Sequence, residues 1–399
     1  MDSTARTVGV KEVLGSRAFQ RWSVPVALAR MPPLMAAVAV TTAAAVYLDD
    51  PDRGGTMASA FVLGLLLLAP VAASCADRFS TRGVLRWQLI GSCVAWLAVS
   101  WAIQAGAPGW SWHLGALAAG ACMAGSAGLL RSTLSQAVQH RQLRVASSVD
   151  ATLLELVIVA APLVVAAAVL MAPIGATVVV ALVSFLGAAA VRLLPEPVSA
   201  KAATKTSDRL RLTGPLLAWA SAGLAFGLAL GAVEIGAVSL VMANGGQANQ
   251  AWVIYAALAL SSAAGGLLDA RTAALERGDH RPRVVVLAAL MVTGGAIAAL
   301  AASPVLILAG VALVGFPTAP LLSARSLRTE AVVGSSIRGR AFTLVFAAQS
   351  LGFAGAGLLL TELGHRGAIA VGSAAILAST LYVIVADKPR SQPCPQSTA

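Results

Sequence analysis

Polar residues in this chain come in short bursts between long apolar stretches. The stretches are too long for strands and too uniformly apolar for the one-sided stripe of a surface helix. Apolar runs occupy roughly 23–48, 56–76, 87–105, 113–133, 147–171 and 174–193, and a second set occupies 214–242, 251–269, 284–302, 304–324, 341–361 and 368–386. A hydrocarbon core about 30 Å thick takes about 20 apolar residues per helical crossing, so the pattern predicts twelve transmembrane helices. The expected fold class is an all-α integral membrane protein. The longest polar stretch away from the termini, LPEPVSAKAATKTSDRLRLTG, lies between the sixth and seventh runs. It divides the chain into an expected six-helix bundle at 1–194, a linker at 195–212, a second six-helix bundle at 213–387 and a tail at 388–399.

Composition agrees with a lipid environment: 58% of the 399 residues are hydrophobic and 11% charged, against about 25% charged in soluble domains. The mean hydropathy is +0.82. A net charge of +11 would point to nucleic acid only if it formed a basic face, and here the charges fall between the apolar runs. If the N-terminus is cytoplasmic, 25 of the 28 Lys and Arg residues gather on the inner side, with Arg53 and Arg366 outside and Arg30 inside the first run. Basic residues accumulate on cytoplasmic loops, so both termini are expected in the cytoplasm. The start of the chain lacks a short apolar core with a cleavage site, and no removed signal peptide is expected. Four cysteines without paired spacing (Cys75, Cys93, Cys122, Cys394) suggest neither a disulfide framework nor a zinc site.

The two sets of runs echo each other. RSTLSQAV at 131–138 and RSLRTEAV at 325–332 each close the fourth run of their half and share the opening Arg-Ser and the closing Ala-Val. Parallel six-helix repeats with a site between them near mid-membrane are a known plan for alternating access. The loop after the second run reads ADRFSTRGVLR. This loop resembles the signature of the major facilitator superfamily, Gly-x-x-x-Asp-Arg-x-Gly-Arg-Lys or Arg. Asp77, Arg78 and Arg82 stand at matching positions, with Ala73, Ser80 and Thr81 in place of two glycines and one arginine. A weaker copy in the second half has Gly265 and Asp269 with Arg271 nearby. The resemblance implies a latch in which the aspartate caps a helix and pairs with arginines; alternatively the arginines only fix topology. Ala161-Pro162 in the fifth run is similar to the Gly-Pro of the family's antiporter motif, which points toward export, or marks a simple kink.

Charge inside a span is costly and rare. Arg30 and Glu155 both lie about eight residues into ascending runs, about 12 Å deep, and are expected to pair. Asp150 and Arg131 form a second expected pair nearer the cytoplasm. The first pair either holds two helices together or couples protons to movement, since burial and a nearby arginine pull a carboxylate in opposite directions. Glu234, with no basic residue at its depth, and Gln349 are candidates for binding substrate. Pro32-Pro33 and Gly315-Phe316-Pro317 with Pro320 are expected to break the first and tenth helices. No HExxH, no P-loop and no serine–histidine pair at one depth is present, so an enzyme is not expected, nor any cofactor or metal.

Together these features predict a multi-pass monomer of a bacterial cytoplasmic membrane that exports a small amphipathic or drug-like molecule in exchange for protons. Proton-coupled uptake of a small metabolite, or a non-transporting scaffold or sensor, are the alternatives. The partners expected are the substrate, protons and the lipid bilayer, not nucleic acid.

Overall fold

A computed structural model describes residues 10–69, 71, 75, 79–139, 142–194, 212–272, 281–333 and 338–387. Helix occupies each of the twelve predicted runs, and no strand is present among the described residues. The first three spans are Arg17–Leu48, Arg53–Leu67 and Thr81–Gln104. The fourth comes in two pieces, Gly109–Cys122 and Ser126–Ala137, parted at Gly125, whose φ of 70° suits a residue without a Cβ. Leu143–Met171 and Gly175–Ala190 complete the first half.

The second half opens with Gly214–Ile235 and Ala237–Met242, followed by Trp252–Thr272, Arg281–Leu300 and the pieces Pro304–Gly315 and Thr318–Val332. It closes with the 49-residue helix Arg338–Ala386, which is two spans meeting at Gly364 (φ 67°, ψ 176°). Glycine spacing shows the turn back. Gly223, Gly227 and Gly231 of the seventh span lie against Val345, Gln349 and Phe353, so the seventh and eleventh run parallel. Gly372 abuts Ala229 and Trp219 reaches Asp387, so the twelfth returns. A small-xxx-small stripe of this kind lets backbones touch where lipid supplies no hydrophobic drive.

Nine helical segments among the described residues are long and apolar enough to cross a membrane, the last of them the doubled one, and Arg53–Leu67 and Leu156–Met171 are shorter apolar helices. The expected break at Pro32-Pro33 does not occur: Arg17–Leu48 runs through Pro25, Pro32 and Pro33. Membrane helices tolerate proline where packed neighbours re-satisfy the freed backbone groups, and this stretch is buried. The tenth span does break, at Phe316-Pro317. The expected linker lies outside the described residues except Leu212, as does the tail at 388–399.

Val13 packs with Val191 and Leu194 at one end of the first half, and Asp387 lies on Trp219 at the same end of the second. At this terminal end the buried apolar residues, among those described, form separate clusters: Val13 to Leu194 in the first half, and Leu216 with Val345 and Trp219 with Val383 in the second. Toward the opposite, distal end a single core takes residues from both halves, from Met35 to Ile376. Among the described residues the two sets of spans share one core distally and have separate clusters at the terminal end.

Candidate functional site

Short polar residues close the distal end. The Ser239 hydroxyl donates to Asp52 Oδ1 at 2.5 Å, and Thr361 donates to the Asp52 carbonyl at 2.8 Å. About one turn deeper, Gly55 and Gly357 meet so closely that neither could carry a Cβ, and about a turn beyond them Ser59 donates to the Ala354 carbonyl at 2.6 Å. The second span is thereby sealed against the eleventh. Tyr255 of the eighth span donates to the Glu234 carbonyl at 2.8 Å and stands within hydrogen-bonding reach of Thr41 on the first span. Glu234 is half-buried beside it, and its carboxylate has no hydrogen-bond partner among the described residues.

On the terminal side of this seal the first half holds a buried ion pair. Arg30 Nη1 and Nη2 donate to Asp150 Oδ1 and Oδ2 at 2.5 and 3.0 Å, with side-chain exposures of 10% and 12%. Matching by depth pairs Arg30 with Glu155 and Asp150 with Arg131; among the described side chains Arg30 is bound by Asp150. An arginine head extends well beyond its own turn and reaches toward the water, which brings it level with a carboxylate nearer the terminal end. The side chains of Glu155 and Arg131 lie outside the described residues, although both positions are helical.

The second half holds a buried arginine of a different kind. Charge counting placed Arg325 on the cytoplasmic side with the topology-setting residues, yet it is 4% exposed. Its Nη2 donates to Gln349 Oε1 at 2.5 Å. The guanidinium lies over the rings of Phe226 and Phe346, 5.6 and 5.4 Å from their centroids. Nη1 is buried without a hydrogen-bond partner. Gln349, expected to face substrate, is thus engaged with an arginine. The available signal was the internal repeat: RSTLSQAV and RSLRTEAV align Arg325 with Arg131, which was already placed inside the membrane.

The signature-loop residues are only partly described. Asp77 and Arg78 lie outside the described residues, as does the Arg271 side chain. Arg82 donates to the Leu194 carbonyl and so ties the third span to the end of the sixth in its own half. Arg281 does the same in the second half, donating to the Asp387 carbonyl at 2.5 Å. Asp269 pairs with Arg283, joining the eighth and ninth spans. The Asp387 carboxylate takes Arg328 at 2.7 and 3.0 Å and Trp219 Nε1 at 3.0 Å. Nothing in the sequence marks Asp387, which reads as the last residue of the second bundle beside the tail.

No protein-family model matches the sequence, and no curated protein sequence does. Solved structures match throughout. A mutant of the nucleoside transporter NupG superposes with a TM-score of 0.73 at 13% identity, covering 92% of this chain and 99% of that one. A bacterial homologue of the human lysosomal transporter Spinster, inward-facing and occupied, gives 0.65 at 15% identity, covering 93% and 96%. The human organic anion transporter MFSD10 gives 0.62 at 14%, covering 91% and 99%.

Proposed function

The chain has the major facilitator fold, and from that premise we propose that it is a secondary transporter working by alternating access between the halves 1–194 and 213–387, joined by the linker 195–212. Its cargo is a small amphipathic or drug-like molecule, exported in exchange for protons across a bacterial cytoplasmic membrane, and a single chain suffices. The observation that carries this reading is the asymmetry of the core: one apolar cluster joins both halves distally, while separate clusters serve each half at the terminal end. With the basic residues holding the terminal end in the cytoplasm, this is the inward-facing arrangement of a rocking pair. The distal contacts of Asp52, Ser239 and Thr361 then open when the terminal end closes.

Proton coupling is assigned to the carboxylates inside the first half. Asp150 is bound by a buried arginine on another helix, so any movement of the first span against the fifth changes the affinity of that carboxylate for a proton. Glu155, further into the same helix, is a second candidate; Glu234 beside Tyr255 in the second half is assigned to binding substrate. Asp77, Arg78, Arg82, Asp269 and Arg271 are assigned to gating at the terminal end.

The test is reconstitution in liposomes with a pH-sensitive dye inside, an imposed pH gradient and a panel of amphipathic compounds. Compound-induced proton flux that disappears in Asp150→Asn while the compound itself still crosses supports coupled transport, and the gradient orientation that drives it fixes export or uptake. Compound flux without proton movement refutes the coupling. Absence of any compound flux refutes transport itself.

A further inference from the structure

Arg30, Arg283 and Arg328 are each answered by a carboxylate, Asp150, Asp269 and Asp387 respectively. Arg82 and Arg281 donate to backbone carbonyls at the ends of spans; Arg325 has neither a carboxylate nor a backbone carbonyl among the described residues. Its partners are an amide oxygen and two phenyl faces, which orient a cation without cancelling its charge. An isolated charge inside an apolar bundle is strongly disfavoured, and a cation–π contact offsets only part of that cost. The arginine is 4% exposed and one guanidinium nitrogen, Nη1, has no acceptor. It borders a cavity of about 30 Å³ lined also by Trp219, Phe226, Ser379 and Thr380, space for a water molecule or a single anionic atom. On the opposite side Phe346 is 48% exposed and Gln349 half-buried, so the guanidinium is covered there by one ring and one amide rather than by a helix.

We propose that Arg325 is an anion-binding site whose missing counter-charge is supplied by a small anion: either a free halide or the carboxylate of the transported compound. Nη1 supplies the first donor. Nη2 becomes available when Gln349 turns out toward its exposed side, which completes a bidentate fork. Phe226 and Phe346 stack on the guanidinium and give an amphipathic carboxylate an apolar surface beside its head. This assignment rests on the transport reading only for its second source; the halide arm is independent of it.

The experiment uses the full chain in detergent, with the thermal unfolding midpoint followed as chloride, and separately benzoate, replaces gluconate at constant ionic strength. A filled site raises the midpoint by about 2 °C at tenfold excess over the dissociation constant, and above that constant the rise grows with the logarithm of anion concentration. The rise is lost in Arg325→Gln. It is also lost in Gln349→Glu, which keeps the arginine and supplies the counter-charge from within, so a folding defect in the first variant does not decide the matter. Arg366→Gln, an exposed arginine elsewhere, keeps the rise. A rise with chloride alone assigns the site to a free anion; a rise with benzoate together with benzoate flux in liposomes assigns it to cargo. Absence of a logarithmic rise in the wild-type chain, or an equal rise in both Arg325→Gln and Gln349→Glu, overturns the site. A midpoint response without flux leaves the site standing and refutes transport, whereas flux indifferent to both variants does the reverse.

Discussion

Two arginines buried in corresponding halves of one bundle are satisfied in opposite ways. Arg30 is locked to Asp150 by two hydrogen bonds; Arg325 lies between two phenyl rings with one hydrogen bond, to a neutral amide. In the first half charge is cancelled inside the protein, and the pair can act as a joint between the first and fifth spans. In the second the charge remains open, and the residue is equipped to attract something that is not part of the chain. The two halves thus carry different electrostatic tasks on similar frames: Arg82 and Arg281 each hold a carbonyl just beyond the last span of their half.

The sharpest way to break the contrast is to leave Arg30 without its carboxylate. Removing one member of a buried pair strands the other charge and costs about 3 to 5 kcal/mol. Asp150→Ala is therefore expected to lower the thermal midpoint drastically or abolish folded protein. Replacing both partners, in Arg30→Met with Asp150→Leu, recovers most of that loss, because the stranded charge is gone. Equal destabilisation by the single and double variants would mean that the pair acts through packing and not through charge.

A smaller effect separates the two tryptophans at the terminal end. Trp22 Nε1 donates to the Thr133 hydroxyl at 2.8 Å, a neutral bond between the first and fourth spans. Trp219 Nε1 donates to the Asp387 carboxylate at 3.0 Å, within a cluster that includes Arg328. Bonds to neutral groups contribute about 0.5 to 1.5 kcal/mol and those to charged groups about 1.5 to 3. Trp219→Phe is expected to destabilise more than Trp22→Phe, measured by denaturation in the same detergent. The reverse order would show that Asp387 is held by Arg328 and Arg281 alone.

The sequence made the scaffold legible and the pairings illegible. Each predicted apolar run falls on helix, because in lipid a spanning helix must be apolar on nearly every side. Arg30, Asp150, Glu234 and Gln349 stood out as polar residues inside those runs. Their partners did not, because depth was counted along Cα positions while an arginine head extends most of a helical turn beyond its own. Arg325 was lost by the same counting: at the inner end of a run it is indistinguishable from a topology-setting residue until tertiary packing buries it. The distal seal was invisible for another reason. Asp52, Ser239 and Thr361 are ordinary residues near helix ends, and only the approach of the second span to the seventh and the eleventh gives them a joint role.

The smallest predicted effect discriminates most. Arg325→Met removes a charge that no carboxylate answers, keeps an unbranched side chain between Phe226 and Phe346, and exchanges cation–π contacts for sulfur–aromatic ones of comparable size. Gln349 loses its donor but is half-buried and can turn toward water. The net change in stability in gluconate buffer is expected to stay within about 1 kcal/mol, whereas Arg30→Met strands Asp150 and costs about 3 kcal/mol or more. If Arg325→Met is as damaging as Arg30→Met, Arg325 is a structural residue whose charge is compensated by the bundle, and the two halves solve the same problem alike. If it is nearly neutral, the bundle tolerates a buried charge from which it gains almost no stability, and that charge is available for binding.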